Sequence, residues 1–469
     1  MKHSIIKRMT ALLLIAVLAL GLCACGKSSA ETPAANAAPA QAAPAAAAPS
    51  TPEPTPEPTP EPTPEPTPEP IDGELLTDDD GDGLIYYTFH YKGCTVYSLI
   101  VLDPSRVYVG TAKPEPSPWI SFGLTLDAIA EQYGAVAGIN AGVFLDEGGG
   151  GQGWPPSGIT ISHGVTFDTM QYGPIAGFDE SNDMWSGYYD YEECLDLGLR
   201  DAVCFGPALL VNGEKTDLSD LPMEISGRTM IGQREDGSVV MVAIDGRQAY
   251  SIGLTYEDEL AIMADKFGCT DASNMDGGNS TCMYFGGQIV NRSANQSSET
   301  RSLPDAWLVH PLPAGYVRPA GVPERIVLPE NPLGENKEYL TPCDPETSAR
   351  LYEFAALFAD KYYGYFGTQN IDYYYPELMR FVAEGSDLRW RCDISLYDKT
   401  FINTYRNEVS NIVLDGAYDN GDGTYDVIIS SDITEFSTYW TYEAKDTQLR
   451  ITVVEDPDSY YGFLAVATN

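Results

Sequence analysis

Residues 51–70 read Thr-Pro-Glu-Pro five times over, and nothing else in the chain limits its folding so sharply. Proline at every second position fixes φ and removes every second backbone donor, so neither helix nor sheet can form there. The segment must run as extended polyproline II, about 3.1 Å per residue, which makes a spacer of roughly 60 Å. Its glutamates keep it solvated, and a spacer is the reading preferred to a binding site. A packed core therefore has to come from residues 71–469.

The N-terminus carries Lys2, Lys7 and Arg8, an apolar run from Ala11 to Leu22, and then Cys23-Ala24-Cys25. The run is too short to span a bilayer and reads as a secretory signal. It resembles a bacterial lipoprotein signal, whose lipobox ends in a small residue and a cysteine, and this implies Cys25 as the lipidated N-terminus. A plain secretory peptide cut elsewhere is the alternative. Residues 1–25 are thus expected as signal, 26–70 as stalk, and the folded part as extracytoplasmic and lipid-anchored to the cell membrane. Nine cysteines leave seven when Cys23 and Cys25 are set aside, and seven cannot all pair. Cys194 with Cys204 and Cys269 with Cys282 are the nearest candidates in a compartment that permits disulfides.

The formal net charge of −41, from 68 acidic against 27 basic residues, excludes nucleic acid as a partner. Neutralising phosphates needs clustered Lys and Arg. A phosphate-bearing substrate would have to find a local cationic pocket. The Pro-rich stretch between Leu312 and Pro345 separates an expected first domain, 71–313, from a linker, 314–342, and a second domain, 343–469.

The first domain reads as β-rich α+β, with short strands punctuated by Gly, Pro, Asn and Asp. Its one strong helix starts at Thr255, with Asp258 three residues on, carries Leu260, Met263, Ala264 and Phe267 on one face, and stops at Gly268. A hairpin is expected across Gly286-Gly287. A second is expected across Asp236-Gly237, with Glu235 opposite Ser238 and hence Arg228 opposite Asp245 as an ion pair. The second domain opens with an amphipathic helix from about 346 to 363, then a shorter one near 376–383, then strands including a hairpin at Asn420–Gly423. That order loosely resembles a nuclear-transport-factor-like cone and carries no function.

Chemistry-bearing residues recur at the ends of apolar runs. Asp276-Gly277-Gly278 places a carboxylate in an open turn where glycine lets backbone N–H groups approach an anion. Asn140, Arg228, Arg247, Asp245 and Arg301 complete a kit for an anionic substrate, since arginine forks grip phosphate and carboxylates act as base or nucleophile.

In order along the chain stand GINAGVF from Gly138, PPSGITISHG ending at Gly164, FGPALLVNG ending at Gly213, GRTMIGQREDG, VAIDGR, SNMDGGNST and TRSLPDAWLV. Over roughly Ile85 to Leu312 these resemble the phosphodiester glycosidase family. The resemblance implies a β-rich mixed-sheet α+β domain that removes a sugar linked through its anomeric carbon to a phosphodiester. It implies Asn140, Arg228, Asp245, Asp276, Gly277, Gly278 and Arg301 as pocket residues, with Arg247 and Ser280 added to the phosphate-binding set. Asp276 is expected to carry the chemistry, with Asp245 as partner of Arg228. Asn279 stands where a third glycine is common, and Ser302–Asp305 departs from the usual run after the arginine.

Weaker signals remain. Gly148–Gly151, Gly153 and Trp154 read as a mobile lid offering an aromatic to a sugar ring, with a disordered insertion as the alternative. His90, His163 and His310 lack a serine-hydrolase context and read as structural, although His163 lies in a family motif. Asp78–Gly83 imitates the start of a calcium loop, but Phe89 replaces the glutamate at the twelfth position, and a solvated acidic turn is preferred. A divalent cation such as calcium is the one cofactor left open. The expected function is hydrolysis of sugar-1-phosphodiesters in envelope or extracellular glycans. The alternative is a non-catalytic glycan-binding or envelope-assembly lipoprotein.

Overall fold

The structure is a computed structural model and describes residues 74–468 apart from 120, 146–150, 223, 293–299, 330–332, 334–340, 367–370, 396–403 and 438–440. Cys25, the signal, the Thr-Pro-Glu-Pro spacer and Gly148–Gly150 lie outside the described residues.

Alternation in the strand Val239–Ile244 explains the layering. All six of its residues are buried. Val239, Met241 and Ala243 enter one core with Val109, Ile139, Phe178 and Trp307. Val240, Val242 and Ile244 enter another with Met263, Phe267, Phe354 and Phe358. A strand with period-two geometry that is apolar at every position must be covered on both faces. Each such Val or Ile contributes about 1.5–3 kcal/mol by leaving water.

This strand lies in a seven-stranded sheet ordered Glu214–Lys215, Ala208–Val211, Cys269–Met275, Arg228–Arg234, Val239–Ile244, Cys94–Val101, Leu84–Tyr91. A five-stranded sheet orders Gln288–Ile289, Met283–Phe285, Ala137–Asn140, Asp305–Val309, Val107–Thr111, and a second one is built around Leu199–Cys204. The strand pairings of all these sheets are antiparallel, so the expected mixed sheet is an antiparallel one. The helix Leu126–Tyr133 joins Val107–Thr111 to Ala137–Asn140, but Asp305–Val309 fills the place between them and runs antiparallel to both.

Thr255 caps its helix as expected, with Asp258 closing a capping box. The helix Tyr256–Ala261 widens into an i→i+5 turn over Ile262–Lys266, which brings Ile262 into the core beside Met263 and Phe267. Gly268, at φ +64°, ends it. The Gly286-Gly287 hairpin is present.

The other hairpin is shifted by one. Arg228 pairs with Ile244 and Gln233 with Val239, because Arg234 and Ser238 close a longer loop with Gly237 at φ +83°. The left-handed glycine after a tight turn adds one residue, and Asp245 falls beyond the end of the pairing.

The described residues belong to one compact unit. Helix Pro345–Phe366 buries Leu351, Phe354, Ala355 and Phe358 as expected. The next helix comes earlier than expected, at Ile371–Leu378, with Pro376 inside it. A third, Asp387–Ser395, has no helical apolar stripe in its sequence, and Leu388, Cys392 and Arg391 are buried on it. Strands Thr404–Asp419, Thr424–Ser437, Thr441–Glu455 and Phe463–Thr468 follow, the first two joined by the Asn420–Gly423 turn. All seven cysteines from Cys94 onward are free thiols, so neither candidate disulfide forms. Cys269 and Cys282 lie in different apolar clusters, and Cys204 Sγ instead accepts a hydrogen bond from Gly173 N.

Candidate active site

Two neighbouring strands converge on one cavity of about 250 Å³. Arg228 opens the strand Arg228–Arg234, and Asp276 follows the last residue of Cys269–Met275, with Thr229 paired to Met275 between them. Adjacent strand ends thus bring a cation and a carboxylate to one wall. Arg247, Gly277, Gly278, Asn279 and Arg301 line the same cavity.

The two glycines do different things. Gly278 sits at φ +58°, and a Cβ there would meet Arg247 Nη1 at 3.0 Å. Gly277 is extended, but a Cβ would lie 2.7 Å from the carbonyl oxygen of Gly227. One permits a left-handed turn and the other a close backbone approach, held by Gly278 N donating to Gly227 O at 2.8 Å. Arg247 is itself at φ +59°, a backbone conformation that non-glycine residues adopt at a cost.

Arg228 is buried and fixed on several sides. Its Nε donates to Leu254 O and its Nη2 to Glu224 O, each at 2.8 Å, and its guanidinium lies 4.0 Å from the Tyr256 ring centroid. Glu259 Oε1 is 3.4 Å away. Burial would lower the Arg228 pKa, but Glu259 beside it more than offsets that and the net direction is upward. Burial pushes Glu259 up to about 8, because neither of its oxygens receives a hydrogen bond from the described residues. Arg228 stays charged, and Glu259 carries the penalty of the pair.

The expected Arg228–Asp245 pair is absent. Asp245 is buried behind the cavity, where Oδ1 accepts from Asn291 Nδ2 at 3.0 Å and Arg292 N at 2.9 Å, and Oδ2 accepts from the Tyr97 hydroxyl at 3.4 Å. Burial, only partly offset by these bonds, pushes it up to about 7. It does not line the cavity and ties the turn that carries Arg247 to residues 291–292.

Asn140 also stands behind the wall. Its amide donates to Asp276 O at 2.5 Å, and its oxygen accepts from Thr229 Oγ1 at 2.9 Å and Cys282 N at 3.0 Å. It braces the Asp276 turn from inside. Ser280 is buried and does not line the cavity. Trp154 is 2% exposed, with Nε1 donating to Ser117 O, so it is a core residue and not a lid aromatic. His163 packs among Tyr108, Tyr133 and His310, away from the lining set.

Several lining residues escaped the sequence. Phe205, Glu224, Ser226, Tyr256 and Asn274 complete the wall. Tyr256 and Glu259 are three apart on one helix, a spacing that predicts a shared face. Nothing in the sequence tells that the face meets Arg228. Glu224 Oε1 lies 3.6 Å from Arg247 Nη2, so the second carboxylate at the cavity is Glu224 and not Asp245.

An antiparallel β-rich domain that gathers three arginines and two carboxylates at one strand-end cavity is built to hold an anionic group. Residues 133–310 match the phosphodiester glycosidase family model. The chain is 27% identical over 203 residues to the SPbeta prophage-derived uncharacterized protein YomE of Bacillus subtilis, covering 40% of this chain and 29% of that protein's length. The zebrafish N-acetylglucosamine-1-phosphodiester alpha-N-acetylglucosaminidase catalytic domain, auto-inhibited by its pro-peptide, superposes with a TM-score of 0.40 at 17% identity, covering 51% of this chain and 88% of that one. A hypothetical protein from Synechocystis gives 0.41 at 14% identity, covering 50% of this chain and 63% of that one.

Proposed function

We propose that this chain is an exported hydrolase, anchored through a lipid on Cys25, that breaks the C1–O bond of sugar-1-phosphodiesters in envelope or extracellular glycans. The sugar we assign, by family resemblance, is of the N-acetylglucosamine-1-phosphodiester type. One observation carries the reading: in a chain of net charge −41, Arg228, Arg247 and Arg301 meet Asp276 at one cavity.

Water adds to C1 while the C1–O electron pair leaves with the phosphate, giving a free sugar and a phosphate monoester. The monoester's second pKa is near ~6, so it departs without a strong general acid. Arginines stabilise its growing charge. Asp276 supports the oxocarbenium-like centre or activates the water. Asp245 acts at a distance, through the turn that carries Arg247.

The test is a panel of sugar-1-phosphodiesters assayed with the intact protein and with Asp276→Ala. Sugar release by the first and not by the second is expected. Binding by both with release by neither would sink the hydrolase reading and leave a glycan-binding protein.

A further inference from the structure

We propose that Asp78, Asp80 and Asp82 form a calcium site that fastens the start of the first long strand, Leu84–Tyr91, to the segment around Arg318. The three carboxylates each bring an oxygen within 4.8 Å of the other two. Such crowding is repulsive unless a cation sits among the oxygens. A second observation concerns Asp78 alone. Its side chain is fully buried, Oδ2 accepts from Gly83 N at 3.0 Å and Arg318 Nη2 at 3.2 Å, and Oδ1 is buried with no hydrogen-bond partner among the described residues. A buried carboxylate oxygen without a partner is costly, and a bound ion removes that cost.

Other charges face the cluster. Arg106 Nη1 donates to Asp82 O at 2.7 Å and Arg318 holds Asp78, so two arginines oppose Asp78, Asp79, Asp80 and Asp82. An excess of negative charge remains.

The chemistry points to calcium. All donors are oxygens, spaced at alternate residues before Gly83 at φ +76°, where a Cβ would meet Arg106 Nη1 at 2.7 Å. Calcium takes 6–8 oxygens at about 2.3–2.6 Å in flexible geometry, whereas magnesium demands a tight octahedron. Phe89 stands where a bidentate glutamate would tighten the loop, and Phe89 faces the core. Water must fill the remaining positions, and affinity falls in the weak class, on the order of 0.1–1 mM. The preferred reading of this segment thereby moves from a solvated turn to an ion site.

Calorimetric titration of the intact protein with calcium chloride, and melting with calcium or with chelator, test this. We expect saturable binding with a dissociation constant on the order of 0.1–1 mM and a calcium-dependent rise of a few degrees in Tm. Asp80→Asn is exposed and leaves the Asp78–Arg318 contact alone, so it folds, yet it weakens binding at least tenfold. Asp80→Asn with Asp82→Asn abolishes the Tm rise. No binding heat up to about ten times the expected constant, an equal shift with magnesium, or an undiminished calcium shift in the double variant would each overturn the assignment.

Discussion

Replacing Arg391 by alanine tests how the candidate site is held from below. Arg391 is buried, and its Nη2 donates to Asp258 Oδ2 at 2.6 Å while Nε donates to Asp387 at 3.0 Å. Asp258 lies in the first turn of the helix Tyr256–Ala261, one residue before Glu259, which faces Arg228. Burial alone would raise the Asp258 pKa, but Arg391 first and Lys92 next more than offset it and hold it at about 2. A fall from 3.8 to about 2 is worth roughly 2.4 kcal/mol at about 1.36 kcal/mol per pH unit. The sign follows from the depressed value: the stabilisation is complete above pH 3.8 and is lost as pH falls through about 2. By pH 3 roughly 1.3 kcal/mol of it is left.

Arg391→Ala leaves Asp258 buried, with Lys92 Nζ still 2.8 Å away and the cap bonds in place. Breaking a buried pair costs about 3–5 kcal/mol, and the surviving lysine puts this case near the lower end, about 3 kcal/mol at pH 7. Urea unfolding followed by circular dichroism, at pH 7 and at pH 3, reads both magnitude and sign. The gap between wild type and variant should narrow by about half at pH 3. Arg391→Lys, which keeps a charge but not the fork, should fall between them. A variant within about 0.5 kcal/mol of wild type at pH 7, or a gap unchanged at pH 3, refutes the reasoning, because surface-like pairs behave that way.

The glycine pair should separate stability from binding. Gly277→Ala meets an immovable carbonyl at 2.7 Å and should give the larger drop in Tm, whereas Gly278→Ala, about 1 kcal/mol from its φ of +58°, pushes on Arg247 and should give the larger rise in KM. Asp245→Asn removes a buried acid pushed up to about 7, so its stability relative to wild type should improve as pH rises from about 4 to 7; a flat difference there would contradict the burial argument. Glu435→Ala leaves Ala249 N and Arg292 without a buried acceptor that now lies at 3.0 and 2.9 Å, and should cost about 3 kcal/mol and raise KM through the 245–251 turn; unchanged melting would dismiss it. A chain of net charge −41 repels an anionic substrate at long range, so kcat/KM should rise as salt shortens the Debye length from about 30 to about 8 Å; a fall would show that local arginines control the approach.

What the sequence could carry was local. The capping box at Thr255, the glycine turn after Met275 and the placement of Asp276 at a strand end need only neighbouring residues, and each is where the residues put it. The failures are non-local or depend on one residue of register. Gly237 in a left-handed conformation lengthens a loop that Asp-Gly alone reads as two residues, and Asp245 thereby loses Arg228. Trp154 follows glycines and looks like a lid, but its indole N–H finds a carbonyl 37 residues earlier in sequence and the ring goes inside. Helix Asp387–Ser395 places Leu388, Trp390, Cys392 and Ile394 at every second residue, which reads as a strand, and its buried Arg391 reaches Asp258, far away in sequence. Arg228's true counter-ion, Glu259, is readable only once a helix end and a strand end are known to meet.

That partnership bears on how the cavity treats charge. An ionised Glu259 with its oxygens fully hydrogen-bonded would cancel Arg228 and leave little for a ligand. Burial raises the Glu259 carboxyl instead and leaves both of its oxygens without a hydrogen bond from the described residues, so it offsets Arg228 less than a fully solvated carboxylate partner would. Glu224 and Arg247, 3.6 Å apart and with Glu224 more than one-third exposed, form a loose pair that an incoming anion can displace. Three arginines against Asp276 and Glu224 therefore suit a single negative charge, which is what a phosphodiester brings. In the hydrolysis proposed above, breaking the C1–O bond would turn the phosphate into a monoester with charge between −1.5 and −2 at about pH 7, and the same arginines would hold it more tightly as that reaction proceeded. Interactions that strengthen toward the transition state are those that accelerate a reaction, and under the proposed hydrolysis release of the phosphate product would be the step most sensitive to loss of an arginine.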